Sequence, residues 1–146
     1  MSTPINEQTY LKRNALACVV LGALYIADAI YNHLTSSVGL KYLTFGLFVA
    51  SIIFIALVLQ SLSKVSKRVF LFSNFEDEYL NHIHNTGYKY AFSLIATFLV
   101  LVSITTNIFP HLSEWLLVRE FSKFSAGLMF ISYSLPILYL LRADDE

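Results

Sequence analysis

An acidic side chain within an apolar, helix-length stretch is the first feature of this sequence that could carry chemistry. Asp28 is the one Asp, Glu, Lys or Arg between Asn14 and Leu34. A charged group at membrane depth costs about 2.5 to 3.5 kcal/mol on insertion scales, so it normally faces protein or water. Such a carboxylate binds protons or cations, lines a path for them, or holds helices together by hydrogen bonds. Asp28 is therefore the first candidate for a functional residue.

Other polar side chains are expected at the depth of Asp28. Tyr25 and Asn32 lie three residues before it and four residues after it, which places them on the same face of a helix. Hydroxyl and amide groups of a later apolar stretch reach a similar depth. The sequence thus predicts a polar intramembrane site composed of Tyr25, Asp28, Asn32, Ser103, Thr106 and Asn107. Both a proton or cation path and a structural hydrogen-bonded layer fit this site.

The histidines and the cysteine form no recognisable catalytic set. His82 and His84 fall in a polar segment, where we predict a solvated surface, and the other two histidines fall at the ends of apolar stretches. Haem ligation within a helical bundle is therefore not expected. Cys18 is the only cysteine, which excludes dithiol chemistry. No nucleotide-binding loop, zinc motif or catalytic-triad order occurs, so we expect a non-enzymatic protein without cofactor or metal.

Four apolar stretches must position these residues. They cover residues 14–34, 40–62, 90–109 and 124–141, and each is close to the ~20 residues that cross ~30 Å of hydrocarbon. Charged residues make up 14% of the 146 residues, against about 25% in soluble domains. The sequence predicts an all-α membrane protein with one domain, residues 1–146, in which four transmembrane helices form an antiparallel bundle of two hairpins. Its net charge of zero argues against nucleic acid as a partner and leaves the lipid bilayer.

Basic residues beside the apolar stretches predict the orientation. If the N terminus is cytoplasmic, seven Lys and Arg residues lie on the inner side and three on the outer side. Because cytoplasmic loops carry the excess of positive charge, we predict a cell-membrane protein with both termini in the cytoplasm. The outer loops are then residues 35–39 and 110–122, and the middle loop, residues 63–89, is cytoplasmic.

The middle loop is expected to contain the start of the third helix. Ser73 and Glu76 fit a capping box, which predicts a helix that begins near Asn74. Apolar residues then recur every four positions, which favours a third helix that extends into the cytoplasm. The alternative is an interfacial helix that ends at Gly87.

The middle loop also carries the features of a protein-binding surface. Aromatic residues stand next to a run of three acids, and no other predicted cytoplasmic segment is longer than a tail. We therefore predict that residues 69–86 bind a soluble cytoplasmic protein. The contacting residues would be Phe70, Phe72, Phe75, Glu76, Asp77 and Glu78.

Three functions fit these features. The first is a homo-oligomer, in one form an ion-conducting pore between subunits, because a single four-helix bundle encloses no passage wide enough for ions. The second is a sensor or accessory subunit that binds a soluble partner through residues 69–86. The third is a proton-coupled small-molecule exporter that uses Asp28. The oligomer number, the partner and any transported species do not follow from the residues.

Overall fold

Long helices dominate the computed structural model of this chain, which describes residues 4–33, 38–65, 69, 75–108 and 118–143. Within these ranges four helices and no strand occur. They are α1 (Pro4–His33), α2 (Val38–Leu62), α3 (Glu78–Ile108) and α4 (Val118–Ala143). The predicted all-α architecture is confirmed for the part of the chain that is described.

All four helices are long and apolar enough to cross a membrane. The candidate spans have mean hydropathies between 1.6 and 2.5, and they run over Ile5–Tyr31, Lys41–Leu62, Glu78–Thr106 and Glu120–Ala143. Large apolar side chains of α2 and α3 are widely exposed on the surface of the molecule. Since lipid tails are as apolar as these side chains, such exposure is expected of helices in a bilayer. The chain is a multi-pass membrane protein by these criteria.

Helices α1 and α4 form the centre of the molecule. α1 packs between α2 and α4, and α4 packs between α1 and α3, so the helices follow one another in the order α2, α1, α4, α3. Asp28 near the end of α1 contacts Lys123 near the start of α4. His84 near the start of α3 contacts Tyr133 in the second half of α4. These contacts show that α4 runs antiparallel to both α1 and α3.

Two glycines set the distance between α1 and α4. A Cβ atom on Gly22 would lie 2.8 Å from the carbonyl oxygen of Gly127, and one on Gly127 would lie 2.7 Å from the carbonyl oxygen of Gly22. Backbone atoms cannot yield to such an approach, so only glycine fits both positions. Small residues in membrane helices permit this kind of close packing.

The start of α3 differs from the prediction. α3 begins at Glu78 rather than near Asn74, because the Asp77 carboxylate accepts a hydrogen bond from the Tyr79 N–H at 2.8 Å and so caps the helix. The alternative in which the helix ends at Gly87 is wrong, since α3 continues through this residue. A Cβ atom on Gly87 would lie 2.7 Å from the carbonyl oxygen of Tyr133, so this glycine serves the contact with α4.

The buried core lies at one end of the molecule. It joins the first turns of α1, the first half of α3 and the second half of α4, and it consists of Leu11, Ala15, Val69, Phe75, Leu80, Ile83, Ala91, Tyr133, Ile137 and Leu141. Burying these apolar side chains against one another stabilises this end of the bundle. The start of α3 therefore packs against α1 and α4 instead of standing alone.

Candidate functional site

Asp28 forms an ion pair with a lysine of α4. Its Oδ2 accepts a hydrogen bond from the Lys123 ammonium at 2.5 Å, and this ammonium also lies 3.3 Å from the Glu120 carboxylate. Asp28 lies five residues before His33, the last residue of α1. The charged group is therefore near the helix ends and not at mid-span. Lys123 was not among the predicted partners, because the fourth apolar stretch begins at residue 124, whereas α4 begins at Val118.

The residues predicted to surround Asp28 make other contacts. Tyr25 stacks on Phe130 of α4, with ring centroids 6.1 Å apart. The Thr106 hydroxyl donates a hydrogen bond to the Val102 carbonyl within α3 at 2.9 Å, and Ser103 is exposed. Ser103 and Thr106 belong to α3, and α4 lies between α3 and α1, the helix that carries Asp28. The side chains of Asn32 and Asn107 lie outside the described residues.

Neutralising both Asp28 and Lys123 should cost less than the sum of the single substitutions. Asp28→Asn removes one of the two carboxylates beside the Lys123 ammonium, and Lys123→Gln removes the ammonium that both carboxylates contact. Side-chain exposures of 39% for Asp28 and 16% for Lys123 indicate partial solvation, so we expect a coupling free energy of about 1 kcal/mol. Reversible unfolding of the two single variants and the double variant in mixed micelles measures it, and additive effects would contradict a coupled pair.

A buried histidine occupies the opposite end of the molecule. His84 is 5% exposed, and its Nδ1 makes a 2.7 Å hydrogen bond with the Tyr133 hydroxyl. The rings of Phe75, Tyr88 and Tyr133 meet the imidazole edge-on, with centroid distances of 5.4, 4.7 and 5.7 Å. The predicted solvated surface is therefore wrong for His84, while His82 is exposed.

The buried face of α3 explains the position of His84. Leu80, Gly87 and Ala91 share this face, since they lie four residues before His84 and three and seven residues after it. The four-residue apolar recurrence that the sequence predicts runs through Phe75, Tyr79 and Ile83, and Tyr79 is 41% exposed. The run of apolar and small residues around His84 is the signal that could have placed it in the core.

A cavity of about 330 Å³ lies beside His84, between α1, α3 and α4. Aromatic rings form much of its wall, and Asn14 and Cys18 contribute polar atoms from α1. Among the described residues, the lining includes no Asp, Glu, Lys or Arg. His84 Nε2 is buried, and it has no hydrogen-bond partner among the described residues. A buried polar atom without a partner costs about 1 to 3 kcal/mol. A polar group that reached this nitrogen would remove that cost, but only after its neighbours shift, because the atom has almost no accessible surface.

The segment formed by residues 75–78 contributes Phe75 to the cavity lining and is fixed at two points. The Asn81 side chain accepts a hydrogen bond from the Phe75 N–H at 2.8 Å and donates one to the Phe75 carbonyl at 2.7 Å. The Glu7 carboxylate accepts a hydrogen bond from the Glu76 N–H at 3.0 Å. These bonds attach the 75–78 segment to both α1 and α3.

The predicted partner-binding residues fall into groups with different environments. Phe75 is 4% exposed and belongs to the core, whereas Glu76 and Glu78 are exposed. Asp77 is half-buried and caps α3. Phe70 and Phe72 lie outside the described residues. In the 75–78 segment, the carboxylates of Glu76 and Glu78 are the groups that a soluble protein could contact.

Comparisons of this chain with protein-family models, curated proteins and solved structures found no match. The function must therefore be argued from the contacts of the chain itself. Two arrangements stand out among the described residues: the ion pair of Asp28 and Lys123, and the His84 cavity, to which the 75–78 segment contributes Phe75.

Proposed function

We propose that this protein is a non-enzymatic membrane sensor or accessory subunit, which reports a change inside its helical bundle to a soluble cytoplasmic protein. The 75–78 segment carries this proposal. Phe75 packs against His84 inside the core, while Glu76 and Glu78 are exposed in the same short segment. A displacement of Phe75 would therefore move both carboxylates.

The position of the segment supports a cytoplasmic partner. The Glu76 N–H bonds to Glu7, so the segment lies at the same end of the molecule as the start of α1. A cytoplasmic N terminus, which the distribution of Lys and Arg favours, would place Glu76 and Glu78 in the cytoplasm. Acids at the start of a helix also face its positive dipole end, which holds their negative charge in a defined place.

A homo-oligomer is the second candidate function. The apolar side chains of Phe45, Ile52 and Leu59 are more than half exposed along α2, and a second copy could cover them as well as lipid can. A pore between subunits would require polar groups at the subunit surface, and the partly exposed Asp28 is such a group. The exporter alternative has less support, because Asp28 already has a cationic partner in Lys123.

A crosslinking residue at position 78 should capture a soluble protein in intact cells. We expect a photoreactive amino acid in place of Glu78 to give an adduct of one discrete mass, because this side chain is exposed. Adding Glu76→Lys should lower the yield at least several-fold by reversing a neighbouring charge. Asp77 is left unchanged because it caps α3. Gel electrophoresis and mass spectrometry of the adduct measure both results.

Two controls make this experiment specific. Asp144→Lys applies the same charge reversal elsewhere in the chain and should leave the yield unchanged. A photoreactive residue at Lys41, in the first turn of α2, should give no soluble adduct. Crosslinking of position 78 to a second copy of the chain alone would contradict the sensor proposal and support the homo-oligomer.

A further inference from the structure

The cavity beside His84 has the size and the lining of a small-molecule site. Its volume of about 330 Å³ falls at the lower end of the range of roughly 300 to 1,000 Å³ that ligand pockets occupy. The rings of Tyr10, Tyr88 and Phe130 contribute to its wall. Aromatic rings favour offset or edge-to-face contacts with another ring. A flat, uncharged, mostly apolar molecule fits these walls.

His84 adds one polar requirement. Its Nδ1 is bonded to the Tyr133 hydroxyl, and its Nε2 has no partner among the described residues. In a neutral imidazole one nitrogen donates and the other accepts. If Nδ1 donates to the Tyr133 oxygen, Nε2 is an acceptor, and if the Tyr133 hydroxyl donates to Nδ1, Nε2 is a donor. A hydroxyl group can both donate and accept. It therefore complements Nε2 in either tautomer, whereas a carbonyl oxygen complements only one.

We infer that this cavity binds a small neutral aromatic alcohol. Its ring packs against the aromatic wall, and its hydroxyl forms a hydrogen bond with His84 Nε2 after a small shift of the neighbouring side chains, because this nitrogen has almost no accessible surface in the described structure. Phe75 lines the same cavity, so the bound molecule contacts a residue of the segment that carries the exposed carboxylates of Glu76 and Glu78. The consequence of binding rests on the proposed sensor function, because the ligand would be the change that the 75–78 segment reports. Binding itself requires no partner protein.

The experiment uses the full chain in nanodiscs with tritiated 1-naphthol as the probe. Unlabelled 1-naphthol should displace the probe at a concentration about tenfold lower than naphthalene, because naphthalene has the same rings but cannot bond to Nε2. A single hydrogen bond to a buried group accounts for a factor of this size. In histidine labelled with ¹⁵N, one imidazole resonance should shift with 1-naphthol and not with naphthalene. If that resonance is absent from the spectrum of His84→Gln, it belongs to the His84 imidazole.

Substitutions distinguish the contribution of the hydrogen bond to the affinity from that of the cavity volume. His84→Phe keeps an aromatic ring but removes the ring nitrogen, so 1-naphthol and naphthalene should displace the probe at equal concentrations. Cys18→Phe adds bulk to the lining and should weaken both at least tenfold, whereas Leu99→Phe, at an exposed position, should weaken neither. Equal competition by the two molecules on the unsubstituted protein would overturn the inference. Absence of saturable binding would overturn it as well, and is the result expected of a cavity that holds water only.

The results distinguish this inference from the proposed function. Naphthol binding without a soluble adduct at position 78 contradicts the sensor function and leaves the binding site. A soluble adduct without naphthol binding contradicts the binding site and leaves the sensor function.

Discussion

Gly127→Leu should destabilise the protein by about 3 kcal/mol, the upper part of the usual range for an overpacked core. Even the first atom of the new side chain would lie 2.7 Å from the Gly22 carbonyl oxygen and 2.6 Å from Ile26 Cγ1. Ile26 could rotate, but the backbone of α1 can only move away. Because α1 also contacts α2 and α4 also contacts α3, separating α1 from α4 would disturb the packing of all four helices. The midpoint of reversible unfolding in sodium dodecyl sulfate measures the loss.

Gly46→Leu is the matched control for this prediction. Gly46 is also a helical glycine, but a Cβ atom there has none of the described residues within 4 Å. Leucine has a higher helix propensity than glycine by up to about 1 kcal/mol, so this variant should be as stable as the parent protein or more stable. Equal losses in Gly127→Leu and Gly46→Leu would show that glycine content, and not the contact of α1 with α4, determines the result.

The helices could be predicted from the sequence because each is an almost unbroken apolar stretch. Backbone groups in hydrocarbon must be satisfied within the segment, so such a stretch has few options besides a helix. Small residues four apart occur at Cys18 and Gly22, where α1 and α4 approach closely. They also occur at Gly46 and Ala50, where a Cβ atom on Gly46 meets none of the described residues within 4 Å, so the spacing alone does not locate the contact. The ends of the helices could be predicted less well from the sequence. α1 begins at Pro4, before the apolar stretch starts, because its first turns bury Leu11 in the core.

The candidate site could be predicted only in part. Asp28 is conspicuous as the one charge in its stretch, but its partner Lys123 resembles an ordinary residue beside a span until the helix packing is known. His84 looks solvated in a polar segment, and it is buried because α1 and α4 cover this face of α3. The cavity arises where three helices meet, so no pattern within one helix indicates it.

Asn81→Ala should release the 75–78 segment from α3. It removes the acceptor of the Phe75 N–H and the donor to the Phe75 carbonyl, and leaving partly buried backbone groups unpaired costs about 2 kcal/mol. If the segment opens locally, this cost corresponds to roughly thirtyfold faster hydrogen exchange at the Phe75 amide. Exchange measured by mass spectrometry on a peptide that contains Phe75 tests the expectation.

Asn85→Ala is the matched control, because Asn85 is the same residue type one turn later in α3 and is exposed. It should leave the exchange of Phe75 unchanged. The comparison also tests whether the segment and the cavity are coupled, since Phe75 lines the cavity and contacts the His84 ring. If they are coupled, Asn81→Ala should weaken the binding of 1-naphthol as well as accelerate exchange, and 1-naphthol should slow exchange at Phe75 in the parent protein. Faster exchange with unchanged binding would mean that the 75–78 segment moves independently of the cavity and cannot report its occupancy.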